Sequence, residues 1–358
     1  MNNKTFRVLA INPGATSTKN GIFANETCIA ESTIRHDYQE LAACGSIKNQ
    51  KRLRTELVLK FVKEAGVELA SLDAVVGRGG IIKPLESGTY AINDKMLADL
   101  SIEPATIHAS SLAGIIAREI GDSLGIPSYI VDPVTVDELC PQARLTGIKG
   151  IERQTIFHAL NSKAVARRVC KEIGRKYEES RLVVAHMGGG VSVGAHLEGR
   201  VVDVNTAAAG EGPFSPERSG GVPLFPIIEM CYSGTYSKAE MMDLVVKKSG
   251  MQMHIGTTDL RKAEAMIADG DSYAALVVET MAYMVAKEIG AMCAVLSGRV
   301  DGIILTGGLA YSTLFTNYIK ARVERLATVY MCPGEDELLA LAEGALAVLR
   351  KETAVKEY

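Results

Sequence analysis

One arrangement occurs twice along this chain, and it limits the fold more than any other feature. Phe6-Arg7-Val8-Leu9-Ala10-Ile11 has the run of a β-strand, Asn12 to Gly21 read as a polar turn rich in small residues, and a second strand begins at Ile22. Further on, Leu182-Val183-Val184-Ala185, then His186 to Gly194, then Ala195-His196-Leu197 repeat the plan. Asn12-x-Gly14 stands where His186-x-Gly188 stands. A second pair of segments follows the hairpins. Leu72-Asp73-Ala74-Val75-Val76-Gly77-Arg78-Gly79-Gly80 parallels Val300-Asp301-Gly302-Ile303-Ile304-Leu305-Thr306-Gly307-Gly308. In both, an Asp precedes a buried-type strand, and Gly-Gly falls at the sixth and seventh residues after it. The same order in each half argues for duplication, and a repeat outranks other fold signals. Helical spacing fills residues 52–64, 155–177, 272–296 and 335–351. Strands alternating with helices give an α/β architecture.

With 358 residues and 47% hydrophobic content, the chain can bury two cores. Residues 139–153, with Pro141, Gly147 and Gly150, read as the linker between the halves. The net charge of −3 argues against a nucleic-acid partner, which calls for a basic excess. The charged run Lys48 to Arg54 reads as a solvated helix face. Residues 281–296 read as core rather than an oligomer face. Seven cysteines without a Cys-x-x-Cys pair favour neither a disulfide framework nor structural zinc. The apolar run near the N-terminus is too short for a signal peptide, and no segment approaches the roughly 20 apolar residues that cross a bilayer. The expectation is a cytoplasmic protein with no membrane partner.

Four stretches can carry chemistry. In Asn12-Pro13-Gly14-Ala15-Thr16-Ser17-Thr18-Lys19, small residues let backbone N–H groups converge on an anion, and three hydroxyls and a lysine add donors. Neither G-x4-G-K-[ST] nor G-x-G-x-x-G occurs, so any phosphate is held by a hairpin tip. An ordinary surface turn is the alternative. His186-Met187-Gly188-Gly189-Gly190 spends backbone entropy on three glycines, which need a reason such as a ligand close to the backbone, or a tight bulge. Thr306-Gly307-Gly308 ends a strand, where ligands of open α/β sheets sit. Its twin places Arg78 at the same station. In the long loop 208–221, Arg218 is flanked by Ser219, Gly220 and Gly221 and can lie across an anion. Asp132 ends the strand Ser128-Tyr129-Ile130-Val131 and suits magnesium or a helix cap. Glu335, Asp336 and Glu337 open the last helix and can complement its dipole or approach a metal.

In these residues and their order, the chain resembles the acetate and butyrate kinase family of the actin/Hsp70/sugar-kinase superfold. Asn12 to Lys19 look like its N-x-G-[ST]-x-[ST]-x-K opening, His186 to Gly190 like its H-[LM]-G-x-G hairpin, Glu217-Arg218-Ser219-Gly220 like its arginine segment, and Thr306-Gly307-Gly308 like its T-G-G. Val76 to Gly80 and Cys332-Pro333-Gly334-Glu335-Asp336-Glu337-Leu338 look like the butyrate branch. The resemblance implies two duplicated ribonuclease-H-like domains with a nucleotide cleft between them. These would be 1–150, for carboxylate and phosphate, and 151–336, for nucleotide, with residues 337–358 packing back on the first. It implies ATP or ADP with Mg2+, a small carboxylic acid as substrate, and a homo-oligomer, dimer or higher. Asn12, Thr16, Ser17, Thr18 and Lys19 would surround phosphate. Gly188, Gly189, Gly190, Gly307 and Gly308 would border the nucleotide. Arg78 and Arg218 would clamp carboxylate and γ-phosphate, with His108, His158 and His186 near the transferring group. Asn12 and Asp132, with Glu335 or Asp336, would position magnesium.

Gly77 and Ala209 align with larger acyl-pocket residues of acetate kinases, and Ile107 and Phe157 would complete the wall. A roomier pocket favours butyrate, since each buried methylene contributes about 0.8 kcal/mol. Isobutyrate and acetate are the alternatives within the family. The rivals outside it are a sugar kinase with Asp132 as base, a phosphoanhydride hydrolase and a non-enzymatic ATP-switched binding protein.

Overall fold

The first hairpin forms where small residues leave the turn unobstructed. β1 (Arg7–Pro13) and β2 (Ser17–Ala24) pair antiparallel, with Asn12 opposite Lys19 and Pro13 opposite Thr18. β3 (Thr27–Arg35) extends the meander. β4 (Ala74–Arg78) and β6 (Ser128–Val131) then join in parallel, and β5 (Thr89–Ala91) forms an edge, giving the order β3-β2-β1-β4-β6-β5. Ala74, Val75 and Val76 are fully buried, as parallel strands covered on both faces must be. One face carries Leu9, Ile11, Val75 and Ile130 against the helices Lys51–Glu64 and Ser111–Leu124. The other is covered by the last helix, Glu337–Leu349. Gly344 lets that helix lie close, because a Cβ there would sit 2.7 Å from Val131, and Thr89 Oγ1 donates to its carbonyl at 3.0 Å.

The computed structural model describes residues 4–102, 108–208 and 210–358. Its contacts define two units, Met1–Val136 with Asp336–Tyr358, and Asp137–Glu335. The second unit holds β7 (Arg181–Met187), β8 (Val191–Leu197), β9 (Arg200–Val204), β10 (Gly302–Gly307) and β11 (Val329–Pro333), in the order β11-β10-β7-β8-β9. Read from its other edge this is β9-β8-β7-β10-β11, which matches β3-β2-β1-β4-β6 strand for strand. The duplication in the sequence is therefore a duplication of sheet topology.

In the second unit, Val183, Ala185, Met187, Ile303 and Leu305 pack on the long helix Ser272–Val295. Met281, Val285 and Ile289 are fully buried there, so one face of this stretch is core, while Tyr283 and Val295 are exposed. Leu182, Val184 and Ile304 face the helix Ala159–Glu172.

Two expectations need revision. The 139–153 stretch belongs to the second unit. Cys140 N donates to Val202 O, and Arg153 reaches Asp203 at 2.8 Å and Glu211 at 3.2 Å. The run 48–54 is not uniformly solvated either. The Arg52 side chain is 88% exposed, but Arg54 is fully buried, on one stripe with Val58, Phe61 and Val62. Among the described residues no helix is long and apolar enough to cross a membrane.

Candidate functional site

Register alone assembles the first cluster. Ile11 is level with Gly77, so Asn12 and Arg78 stand side by side on the face of the last helix, with Lys19 across the hairpin on that same face. Glu337 opens that helix and is buried. It accepts from Asn12 Nδ2 at 2.5 Å and pairs with Arg78 at 3.1 Å. Of the three consecutive acids, Glu337 is thus the one joined to Asn12. Glu335 lies in the second unit, with Oε1 3.0 Å from His186 Nε2. Asp336 is the N-cap residue and makes no side-chain cap bond. The sequence left the three undifferentiated, since only the helix start decides which one points at Asn12.

Around the first turn, Ala15 and Thr16 are exposed, Ser17 is half-buried and Lys19 is exposed. Thr18 departs from the expectation. It is fully buried, its hydroxyl 2.9 Å from Arg54 Nη1 and 2.7 Å from His36 Nε2, so it braces the turn from within. Asp132 adopts a left-handed φ of 39°, a conformation Asp tolerates and one that concentrates at functional strand ends. Its Oδ1 accepts from Ser87 Oγ at 2.6 Å and Gly88 N at 2.8 Å. His108 is exposed and bonds Ser110.

Gly77 corrects the pocket reading. A Cβ there would meet the Ala113 backbone at 2.6 Å, and Gly79 and Gly80 are filled in the same way by Pro133 and Ser111. These glycines let strand and helix touch, and Gly77 opens no room for a longer acid. Ile107 and Ala209 lie outside the described residues.

The second unit builds its counterpart from imidazoles. Thr306, His186 and Ser192 share one row of the sheet, beneath the start of the Ala159–Glu172 helix. His158 stacks on His186 with ring centroids 3.8 Å apart and planes within 8°. Ser192 Oγ lies 2.9 Å from His158 Nδ1. Asn161, which the sequence reading missed, places Nδ2 2.9 Å from His186 Nδ1 and 3.1 Å from Thr306 Oγ1. An amide nitrogen only donates, so the network assigns the neutral His186 proton to Nε2, on the side of Glu335. The signal for Asn161 was its place three residues after the family-like His158, in the first turn of the same helix.

Arg218 is seated on the second hairpin. A Cβ on Gly190 would lie 2.3 Å from its Nη1. Nη1 donates to Ala207 O, and Nε is buried without a partner among the described residues. Burial lowers the guanidinium's pKa, and Glu217 counters that. Ser215 ties the loop to the hairpin, donating to Gly189 O at 2.6 Å and accepting from Arg218 N at 3.1 Å. Gly188 lies beside Glu335 and His186, and Phe157 is buried. Gly307 must be glycine, because φ is 90° and a Cβ would strike Met187 O. Nothing lies within 4 Å of a Cβ on Gly308, so its face is open.

Comparison with known proteins gives this arrangement a family. The profile of the acetokinase family matches residues 143–330, just over half of the chain. The chain belongs to the acetokinase family, whose members are phosphotransferases acting on short-chain carboxylates with ATP. Acetate kinase from Porphyromonas gingivalis superposes with a TM-score of 0.81 at 20% identity, covering 96% of this chain and 100% of that one. A propionate kinase from Francisella tularensis gives 0.72 at 19% identity, covering 95% and 98%. A hexokinase of the ROK family from Thermus thermophilus gives 0.52 at 13%, covering 97% and 100%. At these identities the likeness is one of fold, the two-domain fold shared with sugar kinases, actin and Hsp70.

Proposed function

We propose that the chain is a butyrate kinase, moving the γ-phosphate of ATP onto butanoate to give butanoyl phosphate and ADP. The observation that carries the acyl-phosphate reading is the pair of arginines. Arg78 stands beside Asn12 at the end of one hairpin, and Arg218 lies across Gly190 of the other. A carboxylate oxygen is already a nucleophile, so the reaction needs positioning and charge neutralisation rather than a base. Arg78 would hold the carboxylate. Arg218, with its unused Nε–H, and His186, on exchanging Glu335 for phosphate at its Nε2–H, would donate to the transferring phosphoryl group as charge builds on its equatorial oxygens. Ser17, Thr16 and Lys19 would hold phosphate at the first hairpin, and Gly308 would lie under the nucleoside.

Asn12, Glu337 and Asp132 supply oxygen donors in the first unit, the donor type of Mg2+, which keeps several waters and takes few carboxylates beside substrate phosphates. Among the described residues no group of three His, Cys, Asp or Glu side chains forms a cage. When bound it would neutralise phosphate charge. This assigns Glu337 the metal role expected of Glu335 or Asp336.

Chain length rests on the motif likeness at residues 76–80 and 332–338 and on the small side chain of Ala209. The test is a hydroxylamine trap for acyl phosphate with ATP, Mg2+ and acetate, propionate, butyrate, isobutyrate or valerate. Butyrate giving the highest kcat/KM is the expected outcome. Acetate or isobutyrate in that place would overturn butyrate, and no hydroxamate with any acid would overturn the kinase reading.

A further inference from the structure

Arg54 is a buried guanidinium with no carboxylate against it. It has no solvent exposure, and no ion pair forms with it among the described residues. All its bonds go to neutral acceptors. Nε and Nη2 donate to Gln50 Oε1 at 3.1 and 2.9 Å, and Nη1 to Thr18 Oγ1 at 2.9 Å. The remaining two reach backbone carbonyls of the first turn, Nη1 to Ser17 O at 3.1 Å and Nη2 to Ala15 O at 3.2 Å.

The carbonyl in between, Thr16 O, accepts from His36 N at 3.0 Å, and Ser17 O accepts also from Gly14 N at 2.7 Å. Every carbonyl from Ala15 to Ser17 is therefore held by a donor of the same unit. A carbonyl facing a phosphate repels it. In a trans peptide the following N–H points opposite to the carbonyl, so drawing Ala15 O towards Arg54 turns Thr16 N–H away from Arg54. The charge itself is felt locally: together with burial it lowers the pKa of His36 to about 4. An isolated charge in a protein interior is costly unless a partner of opposite sign completes it.

We infer that Arg54 is the positioning residue of the phosphate turn, fixing its carbonyls away from the ligand and supplying a buried positive charge whose counterion is the substrate's phosphate. This rests on the reading that the turn binds phosphate, so the experiment separates the two. ATP affinity is measured by calorimetry, and KM for ATP and for butyrate by the hydroxamate assay. The proteins are the wild type, Arg54→Ala, Arg54→Lys, Arg54→Gln, Gln50→Met, Ser17→Ala and Lys19→Ala.

The expected result for the Arg54 variants is ATP affinity weaker by on the order of tenfold to a hundredfold, the weight of a charged hydrogen bond. KM for butyrate stays within about twofold, and millimolar guanidinium partly restores an Arg54→Ala protein. Gln50→Met shows a smaller shift of the same kind, and it carries the test if the Arg54 variants do not fold. Folded Arg54 variants, or failing these Gln50→Met, with wild-type ATP affinity overturn the inference while Ser17→Ala and Lys19→Ala still lose affinity. If those two also bind ATP normally, the phosphate turn itself is wrong and the inference falls with it.

Discussion

In the first unit the carbonyls of the turn between β1 and β2 are held from beneath by the Arg54 guanidinium and the His36 backbone N–H, and Thr18 Oγ1 joins Arg54 to the His36 ring. In the second unit the turn between β7 and β8 is glycine at 188, 189 and 190, and a loop side chain lies directly on it. The strand order is shared, and so are the stations. Asn12 corresponds to His186 and Arg78 to Thr306, each pair lying under the first turn of a helix. What differs is how the turn is made to face a ligand. One hairpin has ordinary residues whose conformation is enforced from the core. The other has residues with no side chains and borrows its charge from Arg218. Duplication thus fixed the backbone of the two stations, and divergence decided which side chains stand at each.

The most severe way to break this comparison is to remove the borrowed charge. Arg218→Ala should lower kcat roughly a thousandfold, as loss of a transition-state donor does, while ATP affinity moves by less than about threefold. Normal turnover would end the assignment of Arg218. Gly190→Ala asks whether the glycine serves the arginine. Its Cβ would fall 2.3 Å from Nη1, so a loss of kcat on the order of tenfold to a hundredfold is expected from displacement of that guanidinium. Asn161→Leu removes the bond that fixes the His186 tautomer, and a loss of about tenfold, with KM for ATP held, would sharpen the parallel between Asn12 and His186.

The pH dependence of stability tests the brace of the first hairpin through His36, although burial also lowers the pKa of His196 in the second. His36 titrates near 4 when folded and near the usual 6.5 when unfolded, so the unfolded chain binds the extra proton. Its contribution is complete above pH 6.5 and is lost as pH falls towards 4. Urea midpoints at pH 7.5 and 5 should differ less in His36→Gln than in the wild type. An equal difference would remove His36 from the brace. The smallest effect is expected at Gly77→Ala, where overpacking against Ala113 costs about 1–3 kcal/mol and the order of preferred acids does not change. A changed order would restore Gly77 to the acyl pocket.

The sequence made the hairpins and the strands ending in Gly-Gly legible because glycine and hydroxyl residues advertise an unobstructed backbone. It misled where absence of a side chain has two meanings. Gly77 was read as space and is a contact. Arg54 was hidden in a run of charges, yet its spacing to Val58, Phe61 and Val62 already set it on the buried stripe. Thr18 looked like a third hydroxyl for a ligand, and strand alternation turns it inward, opposite Pro13. Glu337 could not be told from its two acidic neighbours without the start of the helix. Asn161 had only its nearness to His158 to mark it, since its partner His186 lies 25 residues away in sequence.

The closing helix gives the first unit an order of completion. Residues 7–136 are synthesised before it, so Asn12 and Arg78 acquire Glu337 only after the chain has grown about 200 residues further. A growing or prematurely stopped chain therefore has the strands of its first unit without their covering helix, and with an exposed apolar face. The strands of the first unit are made early and covered late, so a product that stops between the two lacks the Glu337 that joins Asn12 to Arg78.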